Sequence, residues 1–286
     1  MGSFKGHVLP GSLFLMVGAW HVWSAAVRYA TDPSMFRVQV WSPMGEGRWR
    51  HLELYIVTIG AFIDMCIELL YSTHLQFFVG GEKILNPAHM NDFEHGGMLL
   101  MFFLYGTVAL LSVKTSWLAL PEGALCLLAS AAFTAEYLLF YFHSTAHTGL
   151  EGYYHLILVI LIGLCIASGI VGSLLPENLA VDFSSGVCIT LQGLWFYQTA
   201  FTLYGPMMPR GCRLDDNDIN CITRDSQVRG QFLANIQLFS LVFLVFVYVI
   251  GCYAVAVSRY GHPELKRLHE EDVGEGGDNG AGMVGR

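Results

Sequence analysis

Apolar residues fall along this chain in seven continuous runs, separated by shorter polar stretches that carry most of its prolines and charges. A helix needs roughly 20 apolar residues to cross about 30 Å of hydrocarbon. On that measure the spans run approximately Val8–Tyr29, Leu52–Tyr71, Gly96–Val113, Pro121–Phe142, His155–Leu175, Phe183–Tyr204 and Phe232–Tyr253, the third being the shortest. The runs are continuous and do not alternate, which argues against membrane β-strands. Pro10 and Pro121 fall at span starts, where a missing N–H costs nothing, and Pro176, Pro206 and Pro209 follow span ends. The pattern predicts an all-α membrane protein, a seven-transmembrane-helix bundle over residues 1–253. The first run is too long for a cleaved signal peptide, and Trp20, His21 and Trp23 break it.

Composition supports the same compartment. Hydrophobic residues make up 54% of the 286 and charged residues 13%, the latter about half the soluble share. A single soluble core cannot hide that much apolar surface, so membrane lipids are the first expected partner, in the plasma membrane or the endomembrane system. The net charge of −8 offers no basic footprint, and no nucleic acid is expected. Residues 254–286 are polar, acidic and glycine-rich towards the end, and read as a disordered cytosolic tail.

Orientation follows from lysine and arginine placement. The N-terminal side of the bundle carries six, from Lys5 to the Arg210–Arg229 group, and the opposite side nine, from Arg28 to Arg286. The bias puts the N-terminus outside or in a lumen and the C-terminus in the cytosol. Cysteine placement agrees. Five of the seven cysteines lie within spans, while Cys212 and Cys221 share the long sixth connection. A disulfide between them suits the oxidising side that the charges select.

Ionisable residues inside the spans mark candidate chemistry, because a charge at membrane depth is costly. Glu53, Asp64 and Glu68 lie in the second span and Glu136 in the fourth, while Arg28, Arg50, Lys114 and Arg259 sit at helix ends, where they can snorkel. Asp64 and Glu68 share a face one turn apart. His89, Asp92, Glu94 and His95 meet the start of the third span. Glu136, His143 and His147 form one stripe if the fourth helix continues, and Glu151 and His155 open the fifth. His143 and His147 have the i, i+4 spacing of shared metal ligands. With His95, Glu136, His155, Asp64 and Glu68 they make the candidate set for a Zn²⁺ site. A hydrogen-bonded polar network and a proton relay remain open beside it. His21 and Glu53 are expected to pair nearer the cytosolic face as a helix clamp. Gln192 and Gln198, among Trp195 and Tyr197, read as interhelical glue.

Several stretches resemble a known family. They are Gly2-Ser-Phe-Lys-Gly-His-Val-Leu-Pro-Gly-Ser-Leu-Phe, Asn86-Pro-Ala-His-Met-Asn-Asp-Phe-Glu-His95, Glu136-Tyr-Leu-Leu-Phe-Tyr-Phe-His143 with His155, and Leu191-Gln-Gly-Leu-Trp-Phe-Tyr-Gln198 through Leu203-Tyr-Gly-Pro206. Together they resemble the transmembrane protein 45 family, also called domain of unknown function 716, and its plant members most. The resemblance implies a seven-helix membrane protein. The family has no established reaction, so no catalytic residues carry over. Its vertebrate members resemble this chain with Arg in place of His147, which weakens His147 as an indispensable ligand. Animal members are linked with endomembranes and epithelial biology, plant members with pathogen responses.

Three functions compete on these residues. One is a zinc-dependent membrane hydrolase of a lipid amide or ester, with Asp64 and Glu136 as catalytic carboxylates. Its likeness to other seven-helix lipid hydrolases is analogy only. Another is a cation or proton transporter along Asp64, Glu68 and Glu136, against which few polar residues continue past His21 and Glu53. The third is a receptor-like scaffold in stress or pathogen response, acting through homo-oligomers and its tail. The usual seven-helix receptor motifs are missing from it.

Overall fold

A computed structural model describes residues 3–79, 83–146, 149–215 and 218–262. Seven long helices follow one another: α1 Phe4–Thr31, α2 Leu52–Cys66, α3 Met90–Lys114, α4 Glu122–Ala146, α5 Gly149–Leu174, α6 Leu179–Leu203 and α7 Arg224–Tyr260. Each is long and apolar enough to cross a membrane, α2 together with its continuation to Ser72, the architecture of a multi-pass membrane protein. Polar side chains start several of them. Ser3 caps α1 at the Gly6 N–H, Asn178 caps α6 at Val181, and Thr223 caps α7 at Ser226.

Helix limits differ from the apolar runs where polar residues extend a helix beyond the hydrocarbon. The third span, expected shortest, belongs to a 25-residue helix. α1 begins at Phe4, so Pro10 lies inside the helix and not at its start. α7 runs to Tyr260, past the expected end at Tyr253, and residues 263–286 of the expected tail lie outside the described residues. α2 continues into six residues, Ile67–Ser72, wound as a wider π-helix, a form often found beside functional sites.

α2, α3, α4, α5, α6 and α1 pack in succession, and α7 lies against α1, α6 and α5. α1 and α6 approach most closely, through glycines. A Cβ on Gly18 would stand 2.5 Å from the Thr190 backbone, and one on Gly193 2.4 Å from the Leu15 backbone. Small residues permit such contact between membrane helices. The outward surface is apolar, with Phe239 and Phe243 of α7 both exposed. Between α6 and α7, β1 (Cys212–Asp215) and β2 (Asp218–Cys221) form an antiparallel hairpin. A Cys212–Cys221 disulfide joins its ends.

At the bundle end where α1 stops, Asp182 of α6 is fully buried and accepts from His21 Nε2 at 2.9 Å and from Arg28 Nη2 at 2.5 Å. Arg28 also donates to Ser42 Oγ, and the Ser42 N–H donates to Glu53 Oε2 at 2.7 Å. This corrects two expectations. His21 pairs with Asp182 instead of Glu53, and Arg28 turns towards a buried carboxylate instead of snorkelling. Asp182 lies one residue before the expected sixth span, and the helix starting at Leu179 brings it to depth. The α1–α2 connection packs across this end, with Phe36, Val38 and Trp41 buried and the Val38 N–H bonded to the Pro176 carbonyl.

Candidate metal centre and cavity

The opposite bundle end gathers the histidines. Gly149 has φ +74°, a conformation glycine tolerates, and it lies at the reversal from α4 into α5. Glu151 and His155 follow one turn apart on α5, so they share a face, and His143 of α4 meets them. The three side chains are buried, and one ligand atom from each lies within 4.8 Å of the others. The rings of His143 and His155 are 4.9 Å apart. This group can hold a metal ion.

Neighbouring groups orient the ligands. His155 Nδ1 lies 2.9 Å from the Glu151 carbonyl oxygen. A carbonyl only accepts, so Nδ1 carries the proton and Nε2 the lone pair of the neutral ring. The Tyr204 hydroxyl donates to Glu151 Oε1 at 2.8 Å. Metal-binding histidines and carboxylates commonly carry such outer partners, which set tautomer and direction. His7, at the start of α1, adds a third imidazole, its ring 5.7 Å from His155 and 5.1 Å from Tyr204. Its Nδ1 is anchored to the Ser3 carbonyl at 2.9 Å.

The remaining candidates lie around the same space. His95 of α3 stands 6.2 Å, ring to ring, from His143, and its Nδ1 is 3.8 Å from Glu68 Oε2. Asp64, buried on α2, faces the same cavity as Glu68 and His95. His89 and Asp92 pair with each other at 2.8 Å. Glu136 is fully buried and accepts from Gln192 Nε2 at 2.6 Å, so Gln192 does join two helices. Seven residues at 1.5 Å put Glu136 about 10 Å deeper along α4 than His143, outside the close group. His147 lies outside the described residues. Among the described residues the i, i+4 pair that serves the group is Glu151/His155. Glu151 was visible in the sequence only as a polar residue beside His155. Nothing in a linear pattern pointed to His7 or Tyr204, which arrive from helices distant in sequence.

His7, Asp64, Glu68, His95, Glu136, His143 and His155 line one cavity of about 390 Å³, and Glu151 and Tyr204 stand behind its histidines. It reaches from Ser3, Asp92 and the histidines at one end to His21, Glu53 and the α1–α2 connection at the other. Its middle is apolar. Phe14 contacts Phe102, Phe133 and Phe196 at ring separations of 5.8, 6.1 and 5.9 Å. The volume lies within the range of small-molecule sites.

Residues 122–254, from the start of α4 through most of α7, match a family of unknown function, DUF716. The match takes in Glu136, His143, Glu151, His155 and Tyr204, and so all three residues of the metal-capable group.

Proposed function

We propose that the protein is a zinc-dependent membrane hydrolase that cleaves an amide or ester bond of a lipid. The observation that carries this reading is the buried His143–Glu151–His155 group at one end of a cavity with apolar walls. Two imidazoles and one carboxylate form a donor set used by catalytic zinc, which keeps a further position for water or substrate. Zinc held there would polarise the scissile carbonyl and bring the pKa of water near about 7. Glu151, oriented by Tyr204, and His155, oriented by the Glu151 carbonyl, hold their positions without having to reorganise during the reaction. Asp64, with Glu68 and His95 beside it, is assigned as the general base. With zinc bound, Asp64 would take the proton of the attacking water and return it to the leaving amine or alcohol, so that water adds across the broken bond.

The mostly apolar middle favours this reading over cation transport, because an ion crossing the phenylalanines would find few ligands, Glu136 chief among them, to replace its hydration. It also favours an enzyme over a scaffold, which needs no cavity. The test is metal analysis of the purified protein beside a His143→Ala/His155→Ala double variant. Stoichiometric zinc in the wild type that the variant loses, together with lipid amide or ester hydrolysis, is the expected result. Wild-type protein without metal, and with stability unchanged by chelator, would leave the scaffold reading.

We further propose that the disulfide hairpin and the histidine cluster, which share one end of the bundle, face the outside or a lumen. The larger count of lysines and arginines at the opposite end, nine against six, supports this orientation, as does the oxidising environment a disulfide needs.

A further inference from the structure

The cavity has a shape that narrows the ligand, and the inference from it rests on the hydrolase reading for what happens at the head but not for what binds. On α1 the lining residues recur every three or four positions from Ser3 to His21, and on α4 from Cys126 to His143. At 1.5 Å per residue these stripes are each about 26 Å long. A volume of about 390 Å³ drawn out over that length makes the cavity an elongated one, suited to a chain lying along the bundle. Its walls are apolar between two polar ends, and packing of the α1–α2 connection closes the end at Glu53 and His21. The histidine end includes Ser3, which is exposed, and Asp92, which is half-buried, so the ligand's head belongs there.

A carboxylate interrupts the apolar stretch, in a cavity that Ser130 and Ser168 also line. Glu136 has one carboxylate oxygen on Gln192, while its Oε2 has no hydrogen-bond partner among the described residues, although the side chain is fully buried and lines the cavity. A buried carboxylate oxygen without a partner is costly, and a donor on the ligand would satisfy it. We propose that the cavity seats a single-chain amphiphile, its head at His7, His143 and His155 and its tail along the bundle. A hydroxyl or amide N–H on the chain, about 10 Å below the head by the α4 rise, donates to Glu136. One chain is proposed, and a two-chain lipid is the competitor that tests it.

Photocrosslinking tests this with the full chain in detergent, using palmitic acid that carries a mid-chain diazirine, with and without a hydroxyl near the middle of the chain. Expected labelling falls on the cavity faces of α1 and α4, at Phe14 and Phe133. An excess of hydroxypalmitate should compete at least five-fold better than palmitate, and Glu136→Leu should abolish that difference. Ala129→Phe, which fills the deeper half beside Ser130, should reduce labelling at least five-fold while a ten-carbon analogue still competes. Ala129→Leu gives a milder version should the phenylalanine variant misfold. Labelling confined to lipid-facing residues such as Phe239 would overturn the proposal, as would equal competition by a two-chain phospholipid or no effect of filling the channel. Cavity labelling without bound zinc would sink the hydrolase reading alone, and zinc without cavity labelling would sink this one alone.

Discussion

His143 and His155 are twelve residues apart in sequence, yet their rings stand 4.9 Å apart at an angle of 70° across the α4–α5 reversal. Neither helix alone makes the site. His155 and Glu151 supply one wall from a single helix face, and the reversal at Gly149 swings His143 onto it. A metal there would tie the two helices together.

Tyr204→Phe should weaken metal binding about 10–100-fold, the usual effect of losing an outer partner of a ligand. It removes only the hydroxyl that bonds Glu151, so the bundle should stay folded. Competition with a calibrated zinc chelator measures the change. An unaltered affinity would mean that Glu151 is not a ligand.

At the other end, Asp182→Ala should destabilise the protein by about 3 kcal/mol, the lower part of the range for breaking a buried ion pair, because Arg28 is partly exposed. Arg28 and His21 would lose their shared acceptor. A lowered Tm in detergent, with metal content kept, checks both the size and the separation of the two ends.

Gly193→Ala should cost about 1–3 kcal/mol through overpacking, since its methyl group would meet the Leu15 backbone at 2.4 Å. Gly97→Ala is the control. Nothing lies within 4 Å of its added Cβ, and helix propensity then favours alanine by about 0.5–1 kcal/mol. Paired thermal melts should move in opposite directions.

Reduction of Cys212–Cys221 removes a cross-link over a sequence separation of nine, worth about 2–3 kcal/mol on the chain-entropy account. Alkylation before and after reductant should show the two thiols becoming reactive together. A glycosylation tag between them should be modified in cells if the hairpin faces a lumen. An unmodified tag would reverse the orientation and move the histidine cluster to the cytosolic side.

The seven helices could be read from the chain because membrane insertion depends on the apolar content of each local run, a property that needs no knowledge of neighbours. The depth of the acids could be read in the same way, which is why Asp64, Glu68, Glu136, His95, His143 and His155 all reach one cavity. Their partners could not. Which groups touch depends on the rotation and tilt of each helix, set by side-chain packing such as the glycine contact of α1 on α6. Helix periodicity made Glu136 a companion of His143, but the α4–α5 reversal brings Glu151 instead and leaves Glu136 two turns deeper beside Gln192. In the same way, Asp182 displaces Glu53 as the partner of His21 because α6 crosses α1 at that level. Sequence alone thus determined a membrane bundle with its ionisable residues at set depths. Only the tertiary structure decided which of them form a site, because a helix's contacts are made by other helices.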